Sequence, residues 1–294
     1  MNSPENSTKE IENKGTEDDL ASRRCALEIL HRVINKRTAL DIALDSSGDF
    51  AHLPARDRAF TRMLITTTIR RLGQIDDLIT SAMDRPDALK TDVVLNIMRL
   101  GVTQIFFMDV ADHAAVDTAV RLADEKGMSR QKGFVNAILR TLIREGAARI
   151  QKQDAPRLNT PEWLLKLWIE DYGLSDAARI AEANMSEAPL DITVKNIGDR
   201  PYWGNVLQAS ELSTGTLRRV LGGNIRELEG FDDGKWWIQD AAAAIPAQLF
   251  GDVTGEHVID MCAAPGGKTL QLAAMGATVT AIDRSAKRLK RLEE

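Results

Sequence analysis

The sequence HVIDMCAAPGGKT at residues 257–269 opens with a short apolar segment and continues into small residues and two adjacent glycines. It is followed by ATVTAID at residues 277–283, a second apolar and β-branched segment that ends in an acid. A strand, a glycine-containing turn, a helix and a second strand form a βαβ unit. Residues 241–294 therefore predict the first part of an α/β, Rossmann-like domain with a parallel sheet.

The turn between these two strands is suited to hold an anionic ligand. Small residues let the backbone approach a ligand closely, and the helix N-terminus that follows offers N–H groups to an anion. A phosphate-binding P-loop would need glycine at Cys262, and the dinucleotide pattern G-x-G-x-x-G would need it at both Cys262 and Ala264. Both patterns fail, which favours a nucleoside-type pocket with a carboxylate in place of a pyrophosphate.

Asp283 ends the second strand, next to the end of the first one in a parallel sheet. A carboxylate in this place can accept hydrogen bonds from both ribose hydroxyls of an adenosine group. Turn and acid together fit S-adenosylmethionine, with the methionine carboxylate on the turn and the ribose on Asp283. A lone acid in such a place also commonly caps a helix or closes a turn, but the glycine turn upstream favours the ribose role.

The chain ahead of this unit predicts an all-α domain at residues 20–150. Apolar residues recur there at spacings of three and four, in six or seven segments. The segment at residues 93–100 is apolar nearly all round, which predicts the central buried helix. Residues 1–19 lack such periodicity and predict a disordered tail.

Residues 151–240 predict a small α+β linker module. Thr160 and Pro161 are typical of a cap and a first helical residue, and a second helix is expected to begin at Ser175. Residues 190–195 alternate as a half-buried strand does. Further short strands are expected near Asn205–Gln208, Ile225–Leu228 and Lys235–Ile238.

The composition excludes several classes of protein. With 44% hydrophobic and 28% charged residues among 294, the chain is ordinary globular protein. No apolar stretch reaches the length of a membrane span, and the polar N-terminus is no secretory signal. Two cysteines cannot form a disulfide scaffold or a zinc site by themselves, and the four histidines are scattered, so we expect a cytoplasmic protein without metal.

Four stretches of sequence resemble the Nop/Sun family of RNA cytosine-C5 methyltransferases. DMCAAPGGKT at 260–269 resembles the family's cofactor motif, and WIQDAA at 237–242 resembles the Gln-Asp segment ahead of it. TPEWL at 160–164 resembles its linker helix, and FVNAILR at 134–140 resembles the closing helix of a NusB-like RNA-binding domain. Their order is similar to that of the bacterial Sun/Fmu, or RsmB-like, branch.

This resemblance implies a multidomain protein with an all-α NusB-like domain, and a reaction on a cytosine of small-subunit ribosomal RNA. A cysteine thiolate adds to cytosine C6, C5 takes the methyl group, and a base removes the C5 proton. The implied cofactor is S-adenosyl-L-methionine. The residues implied to bind it are Cys262, Ala263, Ala264, Pro265, Gly266, Gly267, Lys268 and Asp283.

The sequence lacks the family's catalytic and release cysteines, which lie in Pro-Cys and Thr- or Ser-Cys contexts. Cys25 falls among apolar helical neighbours and is expected to be packed, and Cys262 falls in the cofactor turn. Two strands are also too few for a doubly wound sheet, and residues 290–294 carry no helix stop signal. We therefore expect a fragment that ends within the catalytic domain, is inactive alone, and has its nucleophile beyond Glu294.

Several candidate RNA contacts and alternatives stay open. Trp236 and Trp237 are candidates for base stacking, although packing beside the sheet is the simpler reading. The basic candidates are Arg130, Lys132 and Arg140 in the helical domain, and Arg284, Lys287, Arg288, Lys290 and Arg291 at the end. A NusB-like RNA-binding or antitermination-type module with an inactive methyltransferase remnant is the main alternative, and a dinucleotide oxidoreductase is weakened by the missing glycines. We expect a monomer that does not associate with a membrane.

Overall fold

The computed structural model describes residues 15–85, 91–220 and 225–293. The chain divides into two compact units, Met1–Ser186 and Glu187–Glu294. Within the described residues, the first unit is all helical and the second carries the strands, which confirms the predicted fold class. None of the described helices is long and apolar enough to cross a membrane.

The helices of the first unit are more numerous than predicted. Those at residues 15–150 number eight among the described residues instead of six or seven, because two of them are too short to show an apolar period. They are α1 (Gly15–Ile34), α2 (Leu40–Asp45), α3 (Gly48–His52), α4 (Ala55–Arg70), α5 (Leu72–Ser81), α6 (Asp92–Phe107), α7 (Asp112–Glu125) and α8 (Lys132–Ile150), followed by α9 (Ala155–Asn159) and α10 (Glu162–Ala183).

Helix α1 corrects the predicted disordered tail at residues 1–19. It begins at Gly15, so residues 15–19 are helical, while residues 1–14 lie outside the described part. The apolar periodicity that guided the prediction starts only at Leu20, one turn later.

Helix α6 is the centre of the helical unit, as predicted. Ile97, Met98 and Val102 are fully buried, together with residues of α1, α4, α5, α7 and α8 in one core. The absence of a side chain at Gly101 lets α8 approach, since a Cβ there would lie 2.9 Å from Leu139 Cδ1. An interior packed at this density leaves no room for an added methyl group without movement.

A buried polar network ties three helices together. The Arg99 guanidinium of α6 donates from Nε and Nη2 to the two carboxylate oxygens of Asp76, both at 2.7 Å. Its Nη1 donates to Asn96 Oδ1 at 2.8 Å, and Asn96 Nδ2 donates to Asn35 Oδ1 at 2.9 Å. The network thus joins α5 and α6 to the end of α1.

Helix α9 belongs to the first unit, and it ends at the position where the cap of α10 was predicted. Thr160 Oγ1 donates to Pro156 O at 2.8 Å, so Thr160 ends α9, and Pro161 precedes α10 without a side-chain cap. The predicted cap at Thr160 is therefore wrong. Gly173 (φ 78°, ψ 164°) interrupts α10, in agreement with the two helices expected there.

The division between the units falls later than the start of the predicted linker module. Asn159 Oδ1 accepts from Gln74 N at 3.0 Å, which fixes α9 to α5. The predicted boundaries at 150/151 and 240/241 stay predictions. The chain divides into its two compact units between Ser186 and Glu187.

The second unit contains a four-stranded antiparallel sheet and a parallel strand pair. The sheet has the order β2-β3-β1-β4, and β5 pairs with β6. Its elements are β1 (Leu190–Val194), α11 (Arg200–Val206), β2 (Ser210–Glu211), β3 (Leu217–Arg219), β4 (Trp236–Ile238), α12 (Ala241–Gln248), β5 (His257–Asp260), α13 (Gly267–Ala274), β6 (Thr278–Ala281) and α14 (Ala286–Glu293).

Two predicted strands are wrong. Residues 205–208 include the end of helix α11, which has proline in its first turn, and Ile225–Glu227 is a short 3₁₀ helix. Strands β2 and β3 were not predicted, because two or three residues cannot show an alternating pattern. The predicted strands of β1, β4, β5 and β6 are confirmed, as is α13, the helix between the two parallel strands.

Candidate cofactor site

The site lies where the parallel strands β5 and β6 end. They pair in register from His257 opposite Thr278 to Asp260 opposite Ala281. Beyond the strands, Ile282 N donates to Asp260 O at 2.8 Å, and Ala263 N donates to Ile282 O at 3.0 Å. These bonds hold the turn after β5 against the loop after β6, as expected for the carboxyl ends of adjacent parallel strands.

The carboxylate of Asp260 accepts hydrogen bonds from the start of the turn and from the helix that follows it. Its Oδ2 accepts from Thr269 Oγ1 of α13 at 2.7 Å, and its Oδ1 accepts from Cys262 N at 3.2 Å. The last residue of β5 thereby fixes both the first step of the turn and the first turn of the helix. Sequence analysis did not name Asp260 as a site residue, although an acid at the strand end and a threonine in the helix were visible in the motif.

The turn ends at a helix start whose backbone conformation strongly favours glycine. Gly266 precedes α13 with φ 120° and ψ −5°, and a Cβ there would overlap the side chain of Leu292. Because a glycine occupies the cap position, no cap side chain accepts from the first N–H groups of α13. At Gly267, a Cβ would lie 3.3 Å from Gln239 Cγ.

Asp283 is bound to the turn by the backbone. Its Oδ2 accepts from Ala264 N at 3.1 Å, and its Oδ1 accepts from Ser285 N at 2.9 Å. The Ser285 N–H, the Ala264 N–H and the nearby Arg288 guanidinium hold the pKa of the Asp283 carboxyl below its ordinary value of 3.8. The carboxylate is therefore ionised at neutral pH, and each oxygen keeps a further acceptor site.

The side chain of Gln239 connects helix α13, which follows the turn, to strand β1. Its buried side chain donates from Nε2 to Gln271 Oε1 of α13 at 2.8 Å. Its Oε1 accepts from Thr193 Oγ1 of β1 at 2.9 Å and from Trp237 Nε1 at 3.0 Å. The sequence analysis noted the Gln-Asp segment but gave no role to either residue; Asp240 caps α12, where its Oδ1 accepts from Ala243 N at 3.0 Å.

The other predicted residues divide between surface and interior. Residues 262–266 form the turn, and Gly267 and Lys268 begin α13; Ala263 and Ala264 are buried, whereas Cys262 and Lys268 are exposed. Cys25 is packed in the helical core, as expected, and burial raises the pKa of its thiol to about 11. Among the basic candidates of α14, Arg288 Nη2 donates to Ala264 O at 3.1 Å.

Comparison with known proteins identifies two parts of the chain. Residues 20–144 match the NusB family, and residues 247–294 match the family described as 16S rRNA methyltransferase RsmB/F. Ribosomal RNA small subunit methyltransferase B of Vibrio cholerae is 31% identical over 92% of this chain and 65% of its own length. The protein described as probable ribosomal RNA small subunit methyltransferase B of Synechocystis is 30% identical over 93% and 66%.

The chain spans just under two thirds of the length of these curated relatives. Among solved structures, the crystal structure of PH0851 has the same fold, with a TM-score of 0.65 at 18% identity, over 93% of this chain and 66% of that one. The chain thus contains a segment similar to the NusB family, at residues 20–144, and a segment similar to the RsmB/F family of 16S rRNA methyltransferases, at residues 247–294.

Proposed function

We propose that the protein is an S-adenosyl-L-methionine-dependent methyltransferase that forms 5-methylcytosine in small-subunit ribosomal RNA, in the cytoplasm. The observation that carries the proposal is that the turn after β5 is joined to the end of β6 by the bond from Ala263 N to Ile282 O and by the Asp283 carboxylate, which accepts from Ala264 N. The relatives that share 92–93% of this chain bear the name ribosomal RNA small subunit methyltransferase B, which supports the ribosomal RNA substrate.

The residues of the turn fit this cofactor. Gly266 in the cap position leaves the first N–H groups of α13 without a capping side chain, and these groups can donate hydrogen bonds to the methionine carboxylate. The ionised Asp283 has acceptor sites for the ribose hydroxyls. When bound, the cofactor supplies an electrophilic methyl group. The chain's own residues from Cys262 to Lys268 hold its methionine end, and Asp283 orients its ribose.

The proposal assigns the attacking thiolate to neither cysteine of this sequence. Cys25 is buried with a raised pKa, which disfavours the thiolate. Cys262 is exposed, but it belongs to the turn that is proposed to hold the cofactor. The 294-residue chain is therefore expected to bind cofactor and RNA without transferring a methyl group.

Ribosomal RNA is the proposed partner of the NusB-family region. Of the three basic candidates there, Lys132 pairs with Asp124 at 2.9 Å, and Arg140 Nε donates to Asn136 Oδ1 at 3.0 Å. Arg130 is exposed. Arg130 and the solvent-facing Arg140 are accordingly the better candidates for phosphate contacts.

Replacing Asp283 with alanine tests the cofactor site. We expect the Kd for S-adenosylmethionine, measured by isothermal titration calorimetry on the 294-residue chain, to rise at least about ten-fold, since charge-assisted hydrogen bonds are lost. Asp252→Ala is the matched control, because Asp252 is also an acid in a local turn, bound to Thr254 N at 3.0 Å. An unchanged Kd for Asp283→Ala, or equal effects of both variants, contradicts the proposed site.

The same titration distinguishes the proposed function from the main alternative. A NusB-like RNA-binding or antitermination-type module with an inactive methyltransferase remnant has the family match at residues 20–144 in its favour. It predicts that the chain binds RNA and does not bind S-adenosylmethionine at millimolar concentration. Specific cofactor binding that depends on Asp283 rejects this alternative.

A further inference from the structure

The four-stranded sheet has one apolar and one polar face. Side chains alternate along a strand, so Ile192 and Val194 of β1 face the core with Trp236. Thr193 pairs with Trp237 across β1 and β4, and both belong to the opposite face. Lys195 follows two residues after Thr193 and extends this polar face beyond the end of the strand.

A cleft of about 360 Å³ lies between this polar face and helices α12 and α13. A second cavity of about 290 Å³ adjoins the same strands, and Lys195 and Trp237 line both. The larger volume falls within the range of about 300–1,000 Å³ typical of small-ligand pockets. Its remaining polar lining includes Thr193, Thr214, Thr216 and Arg200.

Trp237 presents a fixed aromatic surface to the cleft. Its indole Nε1 donates to Gln239 Oε1 at 3.0 Å, and the ring is only partly buried. The neighbouring Trp236 is 3% exposed, and its ring packs edge-on against that of Phe231 with the ring centres 5.9 Å apart. Trp236 is therefore a core residue, whereas Trp237 keeps part of its ring at the surface. A partly exposed indole held in one orientation is a stacking platform for a nucleobase.

Cationic groups border the same cleft. Lys195 N donates to Lys235 O at 2.9 Å, which places two exposed lysines side by side. Arg200 Nη1 reaches Glu211 Oε1 at 3.3 Å, while its buried Nε has no hydrogen-bond partner within the described parts of the chain. Positive charge beside a cleft favours an anionic ligand such as a phosphate group.

We infer that this cleft binds one nucleotide of single-stranded RNA, with its base stacked on Trp237 and its phosphate near Lys195 and Arg200. The inference rests on the proposed function for the choice of RNA as the polymer, and adds a contact site separate from the cofactor turn. A single strand fits better than a duplex, because the bases of a duplex are stacked and unavailable to a side chain in a cleft.

Photo-crosslinking provides a direct test. The 294-residue chain is irradiated with a single-stranded RNA ten-mer that carries 5-iodouridine, and the crosslinked peptides are sequenced by mass spectrometry. We expect a crosslink at Trp237. Crosslinks confined to residues 15–150 would overturn the inference and leave the RNA-binding part of the proposed function standing.

Affinity measurements with matched variants separate stacking from structure. We expect Trp237→Leu to raise the Kd for the labelled ten-mer about five-fold or more. Trp237→Phe keeps an aromatic ring but loses the hydrogen bond to Gln239, and we expect it to change the Kd less than about two-fold. Lys195→Ala is expected to weaken binding about three-fold or more, and Lys152→Ala, an equal charge loss in the first unit, to have a smaller effect.

The outcomes distinguish this inference from the proposed function. If Trp237→Leu leaves the Kd unchanged, or if Trp237→Phe weakens binding as strongly, the stacking site is wrong while RNA binding stands. If the unmodified chain does not bind single-stranded RNA at all, both the inference and the RNA part of the proposed function fail.

Discussion

Replacing Arg99 with methionine is expected to lower the free energy of unfolding of the helical unit by about 3 kcal/mol. The guanidinium is 9% exposed and donates three hydrogen bonds, two of them to the Asp76 carboxylate. Methionine has a comparable length and fills the space, so the loss reports on the polar network. Asn96, which is fully buried, then keeps an acceptor oxygen without its donor.

The matched control is Arg121→Met. Arg121 forms an exposed pair with Asp117 at 3.3 Å on one face of α7, and such surface pairs contribute about 0.2–1 kcal/mol. Urea unfolding followed by far-UV circular dichroism, with hydrogen exchange of α6 peptides to locate the effect, compares the two variants. Equal losses for Arg99 and Arg121 would show that the buried network does not stabilise the unit.

Helix α6 and the parallel strands β5 and β6 were predicted accurately, for different reasons. Helix α6 is apolar on nearly all sides, whereas β5 and β6 are short segments with β-branched residues that each begin two residues after a glycine, Gly255 and Gly276. Helix α11 and the 3₁₀ helix at Ile225–Glu227 were mistaken for strands, because apolar residues in segments this short fit either period. Tertiary packing, which a single sequence does not display, decides such segments.

The candidate site shows the same limit. The motif placed residues 262–268 and Asp283 correctly at adjacent strand ends, because the βαβ topology follows from local sequence. Whether they bind the cofactor stays a prediction. The hydrogen bond between Gln239 and Gln271, which holds α13 in place, could not be predicted. These residues are 32 positions apart and meet only when β4 packs beside α13.

Replacing Asp191 with alanine is expected to destabilise the second unit by about 3 kcal/mol. The carboxylate is 3% exposed and accepts from Arg218 Nε and Nη2 at 2.7 and 2.8 Å. It also accepts from Ala241 N at 3.0 Å, at the first residue of α12. Alanine leaves this buried N–H without an acceptor and removes the ion pair that joins β1 to β3.

The contribution of Asp191 also depends on pH. Hydrogen bonds from Arg218, with a further one from Ala241 N, hold the pKa of Asp191 below its ordinary value of 3.8. Because the folded-state pKa is the lower one, the unfolded chain takes up the proton first. The stabilisation is therefore fully present above about pH 4, the unfolded pKa, and is lost as the pH falls through the lower folded value.

Asp191→Asn isolates this effect, because asparagine keeps the shape and removes the charge. We expect the stability difference between the wild-type chain and Asp191→Asn to be about 1–2 kcal/mol at neutral pH and to shrink at about pH 3. Urea unfolding followed by tryptophan fluorescence, to which the buried Trp203 and Trp236 of this unit contribute, measures it, with Asp233→Asn, at an exposed position, as the control. Other carboxylates also titrate in this range, so the difference between the variants is decisive. A difference that stays constant from neutral to acidic pH would show that the ion pair with Arg218 does not stabilise the sheet.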